Sequence, residues 1–370
     1  MSIKVNRAMR TLCFALLVCC VIVPAMAQDE DTSQPPVRGH YVVLPPRITP
    51  SIVPPAATPL KTWSGSFTYH STHYPYVMVG TAPSTGTATT ITTFIVPIKV
   101  IITKGTTHTT FDPNTVVNGT KTAVTNSTTS PVFDKTTTYK AGTINVGTTQ
   151  YVDAYQRANF WQNVQTHTGY HVYLSAPTVL ATQTLSPPAS LGVTGTPFGV
   201  LAGEVDINWF DTKLEGIIAK FPQILPNTLV IFETFNVYLT QGGGCCIGGY
   251  HTAYSNANGI QTYMHFDYVN HPGIFSQDVS ALTHEVGEWM DDPLTNGGNN
   301  SPCGLLENGD PLEQGQPGHP YGDWNYTLNG FIYHQQDLAT LPYFGAPIAT
   351  SVNGWLSFHN AALSVCSNGS

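Results

Sequence analysis

The chain has 370 residues, a formal net charge of −8 and only 10% charged residues, against roughly 25% in a typical soluble domain. The 14 lysines and arginines form no basic patch, which argues against nucleic acid as a partner. Uncharged polar residues carry the solubility instead, a composition that suits an extracellular protein.

Residues 1–27 are predicted to be a secretory signal peptide. Lys4, Arg7 and Arg10 give a positive start, and the apolar stretch TLCFALLVCCVIV is too short to span a bilayer. The tripeptide Ala25–Ala27 fits a small-x-small cleavage site. The alternative is an uncleaved membrane anchor. We expect a secreted protein, extracellular or periplasmic, with no membrane attachment after cleavage.

Three further regions follow the predicted signal peptide. Residues 28–60 are rich in proline and are predicted to be a linker or a pro-segment. Residues 61–198 contain short runs of Thr, Ile, Val, Phe and Tyr between turn residues, which predict a β-rich lobe. One helix is expected within it, at Asp153–Val164. Near Gly199 the pattern changes, and residues 199–370 form the last region.

The last region alternates predicted helices and strands. VDINWFDTKLEGIIAKF has helical spacing, and Asn227–Thr240 and Ile260–Val269 are strand candidates. The sequence between the strands, QGGGCCIGGYHTAYSN, is predicted to be a glycine-rich loop. ALTHEVGEWMDDP at Ala281–Pro293 is predicted to be a helix.

This last helix has predictable limits and two distinct faces. Ser276 is the expected N-cap, Asp278 suits the positive end of the helix, and Pro293 disfavours helical geometry at Asp292. Gly287 costs about 1 kcal/mol relative to alanine in a helix interior, so we expect a packing reason for it. Helical spacing predicts a core face of Val279, Leu282, Val286 and Trp289, and a polar face of His284, Glu285, Glu288 and Asp292.

His284-Glu285-Val286-Gly287-Glu288 differs by one residue from the H-E-x-x-H motif of zinc hydrolases. Residues four apart on a helix can bind one metal ion, and the glutamate after the first histidine faces the metal-bound water as a general base. A carboxylate oxygen can replace the second histidine, because it also ligates zinc. His284 and Glu288 are therefore predicted ligands and Glu285 the predicted base. The added negative charge makes manganese or calcium more acceptable beside zinc.

With its downstream acidic segment SPCGLLENGDPLEQG, this motif resembles gluzincin-type metallopeptidases. The resemblance implies that Glu307 is the third metal ligand and that Asp310 orients His284. The chain departs from that pattern in two ways, because Glu288 replaces histidine and Asp310 follows Glu307 by three residues instead of four. Asp292, one turn beyond Glu288, is a rival third ligand.

A second resemblance covers most of the last region. HEVGEWMDDP (His284–Pro293), LENGDPL (Leu306–Leu312) and YHQQDLA (Tyr333–Ala339) are similar to motifs of a group of secreted bacterial proteins. The resemblance supports one family with one site, and it implies no particular activity.

Two further histidines are candidates for catalytic roles. His251, in GGYHTAY, could border the cleft and stabilise an oxyanion. His334, in FIYHQQDL, could do the same or bind the metal. For each, a structural histidine held by hydrogen bonds is the alternative.

Four cysteines remain after removal of the signal peptide, and an even number in an exported chain favours disulfides. We expect the adjacent Cys245 and Cys246 to take different partners, because a vicinal disulfide is strained. The prediction is that Cys303 pairs with one of them and Cys366 with the other. Buried free thiols are the alternative.

These features predict an α+β protein in which a β-rich N-terminal lobe packs on a zincin-like C-terminal region with an active-site helix. The expected function is zinc-dependent hydrolysis of an extracellular polypeptide, with a glycan as the other candidate substrate class. A binding module with a structural calcium ion, a catalytically inactive descendant of a peptidase, and a purely structural helix with capping acids are the alternatives. After Lys220 the chain has no lysine or arginine but twelve acidic residues, so buried carboxylates there need hydrogen bonds, protons or a metal ion.

Overall fold

The computed structural model describes residues 39–49, 57–69, 71–141, 144–295, 300–301, 304–305 and 323–336. All of these residues belong to one compact unit, Pro35–Ser370. The predicted signal peptide lies outside the described residues.

The described residues form twenty-two strands, five α-helices and two 3-10 turns, at Pro83–Thr85 and Pro197–Gly199. The helices are α1 Ala123–Thr128, α2 Tyr151–Asn159, α3 Trp161–Val164, α4 Ile207–Ile218 and α5 Ser280–Asp291. The strands are β1 His40–Val43, β2 Thr62–Tyr69, β3 Thr72–Val79, β4 Ala88–Lys104, β5 Thr107–Phe111, β6 Val116–Asn118, β7 Lys121–Thr122, β8 Thr138–Ala141, β9 Ile144–Thr148, β10 His171–Leu174, β11 Thr178–Val179, β12 Gln183–Leu185, β13 Gly192–Gly195, β14 Ala202–Asp206, β15 Thr228–Phe235, β16 Val237–Gln241, β17 Gly244–Asn256, β18 Gly259–Tyr268, β19 Asn300–Ser301, β20 Gly304–Leu305, β21 Asp323–Leu328 and β22 Phe331–Gln336.

The fold is strand-rich with few helices, and one large sheet dominates it. Its main path runs β10-β4-β15-β18-β17-β16-β14-β13, and β1 adds to β17 while β5, β11 and β12 add to β4. Strands β4, β15 and β18 run parallel, and β17 is antiparallel to β18. The sheet therefore contains strands from the predicted β-rich lobe (residues 61–198) and strands from the predicted C-terminal region (residues 199–370).

The two faces of the sheet pack against different helices. Alternate residues of the central strands point to opposite faces, so Ile231 of β15 joins one core and Phe232 joins the other. The first core contains Leu282 and Trp289 of α5, and the second contains Leu214 of α4. We call these the α5 face and the α4 face.

Helix α5 is buried along its whole length, including its predicted core residues. It begins at Ser280, with Val279 as N-cap, so the prediction of Ser276 as the N-cap was wrong. The backbone of Ser276 is left-handed (φ 58°), and Asp278 accepts the Val279 N–H at 2.6 Å. The helix ends at Asp291, as the proline at 293 predicted.

Gly287 has the packing reason that its position in α5 predicted. A Cβ atom there would lie 3.2 Å from the ring of Tyr155 on α2. The element that packs against this glycine is therefore the helix α2.

Three predicted elements differ from the structure in kind or extent. The glycine-rich stretch after Gly243 is not a loop but the long strand β17, because β16 and β18 pair with it on either side and satisfy its backbone groups. The strand predicted over Asn227–Thr240 is divided into β15 and β16 at Asn236, whose φ of 53° interrupts the extended chain. The helix predicted at Asp153–Val164 corresponds to α2 and α3, divided at Phe160.

The cysteine pairing also differs from the prediction. The structure pairs Cys245 with Cys246 instead of sending their sulfurs to different partners. The pair lies at a bulge, since Thr240 pairs with Cys245 and Leu239 pairs with Ile247, which interrupts the normal alternation of side chains. Cys303 and Cys366 lie outside the described residues.

Candidate metal centre

The candidate site lies where α5 crosses the α5 face of the sheet next to β17. His251 points from β17 towards the helix, and Glu285 and Glu288 point from the helix towards the strand. Glu285 fits because its neighbour on β17 is Gly249, where a Cβ atom would lie 2.7 Å from Glu285 Oε1. A glycine on the strand therefore makes room for a carboxylate on the helix.

Three side chains converge at this point with atoms that can bind a metal ion. One ligand atom from each of His251, Glu285 and Glu288 lies within 4.8 Å of the other two. His251 Nδ1 is 3.2 Å from Glu285 Oε2 and 4.0 Å from Glu288 Oε2. Two ligands of a tetrahedral zinc ion lie about 3.4 Å apart, so the 3.2 Å separation matches such a site, and Glu288 would have to move slightly closer to His251 to share the ion.

Hydrogen bonding assigns the proton of the His251 ring. Its Nε2 lies 3.2 Å from the main-chain oxygen of Asp292, which can only accept, so Nε2 carries the hydrogen. Burial lowers the pKa of His251 to about 3, which keeps the ring neutral. Nδ1 then presents a lone pair to the carboxylate oxygen of Glu285. Two acceptors at 3.2 Å require a proton or a cation between them.

The electrostatics of the group favour a cation. His251 and Glu285 are fully buried and Glu288 is 2% exposed, so water cannot stabilise both carboxylates. A divalent ion would satisfy both carboxylates and the Nδ1 lone pair, and the mixed nitrogen and oxygen donors suit zinc better than calcium.

His284 lies beside this group without belonging to it. Its Nε2 is 3.1 Å from Glu288 Oε2, and its ring stacks on Tyr41 with centroids 3.7 Å apart. His284 and Glu288, which the sequence predicted to act together, are therefore in contact. The group of possible ligands, however, consists of His251, Glu285 and Glu288. The assignment of His284 as a ligand stays a prediction.

The other predicted residues occupy different positions. Asp292 is buried and contacts His251 through its main-chain oxygen, while burial raises the pKa of its carboxyl group to about 7. His334 on β22 pairs with Asp278 at 2.6 Å, before the start of α5. Glu307 and Asp310 lie outside the described residues, so their predicted roles as third ligand and orienting acid stay predictions.

Sequence reasoning did not identify His251 as a candidate ligand or Tyr41 and Gly249 as neighbours of the site. The available signal was the pair Gly248-Gly249, which ends two residues before a histidine in a segment rich in aromatic residues. Paired glycines in a strand indicate that another element approaches closely. Tyr41 carried no comparable signal, because its contact with His284 joins residues far apart in the chain.

Comparisons of the chain with family models, curated proteins and solved structures gave no match. Within the part of the chain that the structure describes, no helix combines the length and apolar character that a membrane span needs.

Proposed function

We propose that the protein is a secreted metal-dependent hydrolase, a peptidase in which His251, Glu285 and Glu288 hold a zinc ion. The observation that carries the proposal is the convergence of one imidazole and two carboxylates within 4.8 Å in a buried site. A zinc ion at this position would polarise a substrate carbonyl and activate a water molecule.

The side chains take separate roles in this proposal. His251 donates its Nε2 hydrogen to Asp292 and keeps Nδ1 available as a ligand. Glu288 is a second ligand. In this proposal His284 does not bind the ion, in contrast to the sequence prediction, but orients Glu288 across the 3.1 Å contact. Glu285 would bind the ion through one oxygen only, and its second oxygen would accept the proton of the attacking water and return it to the leaving amine. This retains the role of base that the sequence predicted for Glu285.

The test combines metal analysis of the purified mature protein with hydrolysis of a denatured protein substrate. We expect about one zinc ion per chain and activity that a chelator abolishes. His251→Ala and Glu288→Ala should lose the ion, because each removes a ligand. In Glu285→Gln an amide oxygen can still bind the ion but cannot accept a proton, so activity should fall by about 10²–10⁴ with the ion retained.

Asp291→Asn is the matched control. Asp291 is another buried acid of α5; it interacts electrostatically with Tyr76 and Tyr170, and it is not one of the three residues of the metal group. The variant should retain zinc and activity, whatever its stability. Full activity in Glu285→Gln, or a parent protein that binds no metal, would contradict the proposal.

The complete burial of the group favours a second candidate, a binding module with a structural metal ion. Catalytic zinc sites keep an open position for water, whereas structural sites are closed. Such a module would contain stoichiometric metal and hydrolyse no polypeptide or glycan substrate at any pH. Calcium in place of zinc would also favour it, although the His251 nitrogen suits zinc.

A further inference from the structure

Strand β1 brings an aromatic side chain over the candidate metal centre. Residues 40–43 run parallel to β17, with Val43 in register with His251. Tyr41, which is 5% exposed, stacks face to face on His284 with an interplanar angle of 25°. The tyrosine ring therefore covers one face of the His284 imidazole, and Nε2 of that imidazole contacts Glu288.

The segment that carries Tyr41 is fixed on both sides of this contact. Before it, a Cβ atom on Gly39 would lie 2.3 Å from the ring of Phe275, so the chain can approach only as glycine. After Tyr41, the main-chain oxygen of Leu44 accepts a hydrogen bond from the hydroxyl of Thr252 at 3.0 Å.

Further along, Arg47 anchors the segment to the α4 face of the sheet. It forms an ion pair with the buried Asp211, and its Nε donates to Glu215 at 2.8 Å. These contacts fix the main chain around Tyr41 independently of the stack on His284.

We propose that Tyr41 is a positioning residue for His284 and that strand β1 is thereby part of the metal centre; this rests on the proposed function. Rotation of the imidazole about its Cβ–Cγ bond would drive its edge into the tyrosine ring. The stack therefore keeps His284 Nε2 in contact with Glu288 Oε2. This contact would in turn keep the carboxylate of Glu288 oriented towards the ion.

A consequence concerns the mature protein. Removal of all of residues 28–60 as a pro-segment would also remove Tyr41. If Tyr41 is part of the metal centre, the mature chain must begin before Tyr41, and the part of the proline-rich region that includes β1 is retained.

The experiment measures Zn²⁺ affinity of the mature protein by competition with a chromophoric chelator, and the absorption spectrum of the Co²⁺-substituted protein. Tyr41→Ala should weaken Zn²⁺ binding by up to about tenfold and alter the Co²⁺ spectrum, because His284, which contacts the ligand Glu288, would lose its fixed orientation. Tyr41→Leu, which keeps apolar volume without a planar ring, should do the same. Tyr41→Phe should restore both properties.

Val42→Ala is the matched control, because Val42 lies on the same strand and packs against the α4 face. It should leave Zn²⁺ affinity and the Co²⁺ spectrum unchanged. The melting temperature of each metal-free variant separates loss of folding from loss of affinity.

Wild-type affinity and spectrum in both Tyr41→Leu and Tyr41→Ala would overturn the positioning role and leave the proposed function intact. Tighter binding in these variants would also overturn it, because Tyr41 would then obstruct the site. A wild-type protein without metal affinity would instead refute the proposed function itself. Mass spectrometry of the secreted chain provides an independent check: a metal-binding mature protein that begins after Tyr41 would overturn the inference.

Discussion

Asp267 on β18 is a buried acid whose protonation differs between the folded and unfolded chain. It accepts hydrogen bonds from Val237 N at 2.8 Å and from Thr234 Oγ1 at 2.9 Å, and it is fully buried. Burial nevertheless dominates and raises the pKa of Asp267 to about 7. Below about pH 7, the folded protein therefore favours the protonated carboxyl group.

The first prediction is that Asp267→Asn is increasingly stabilising as the pH rises. The unfolded carboxyl group ionises near pH 4 and the folded one near pH 7. In this interval the unfolded state binds fewer protons, so this group lowers stability as pH rises, by about 4 kcal/mol at most. Asparagine keeps the acceptor oxygen and never ionises.

Denaturant unfolding at intervals from about pH 4 to pH 8 measures this effect. The variant should resemble the wild type near pH 4 and exceed it in free energy of unfolding above pH 7. Stability curves that remain parallel over the whole range would contradict the assignment. Comparing the two proteins cancels the titration of other groups.

The second prediction concerns Gly249. Its Cβ in Gly249→Ala would lie 2.7 Å from Glu285 Oε1 and 2.9 Å from the main-chain oxygen of His265, so the helix must move away from the strand. We expect a loss of about 1–3 kcal/mol in unfolding free energy and weaker zinc binding. Gly216→Ala on α4 is the control, because its added Cβ atom would have no other atom within 4 Å. This variant should be neutral or slightly stabilising. Zinc titration and thermal unfolding of both variants check the prediction.

Helix α5 depends on its neighbours rather than on its own caps. Its N-cap residue makes no side-chain hydrogen bond, and every residue of the helix is buried. One neighbour is β22, whose Gln336 N–H donates to Thr283 Oγ1 at 2.7 Å. The hairpin of β21 and β22 is therefore linked to the metal-site helix through a threonine hydroxyl.

The third prediction tests this link. Thr283→Val keeps the shape of the side chain and removes the acceptor of the Gln336 N–H, which should cost about 1–3 kcal/mol. Thr212→Val on α4 is the control, because Thr212 is exposed and bonds only its own helix, to Asn208, at 2.9 Å. Hydrogen exchange of the β22 amides should accelerate in the first variant alone. Equal exchange rates in both would show that the link does not hold the hairpin.

At the scale of the whole molecule, the candidate site joins the large sheet to its main covering helix. His251 belongs to β17, and Glu285 and Glu288 belong to α5, so one ion would cross-link the two elements. A ligand that binds only the folded state stabilises that state against global unfolding.

The fourth prediction is that zinc raises the stability of the folded chain in a concentration-dependent way. At free zinc about 100-fold above its dissociation constant, the gain should be about 2.7 kcal/mol. His251→Ala should show no such gain, while Asp291→Asn should retain it. Melting temperatures measured over a zinc series provide the test, and an equal response in His251→Ala would place the ion elsewhere.

The sequence by itself determined the local features of the site. Helical period placed Glu285 and Glu288 on one face of α5 and Leu282 on the core side, and Pro293 predicted where the helix ends. These features depend on residues within a few positions of one another, so the amino-acid order is sufficient to predict them.

Only the tertiary structure decided which groups surround the two glutamates. His251 reaches Glu285 because β17 pairs with β18 beneath α5, and Tyr41 reaches His284 because β1 adds to β17. The same pairing made a strand of a glycine-rich segment that resembled a loop. Hydrogen bonds between distant strands and packing across the sheet set these contacts, and neither leaves a periodic signal in the local sequence.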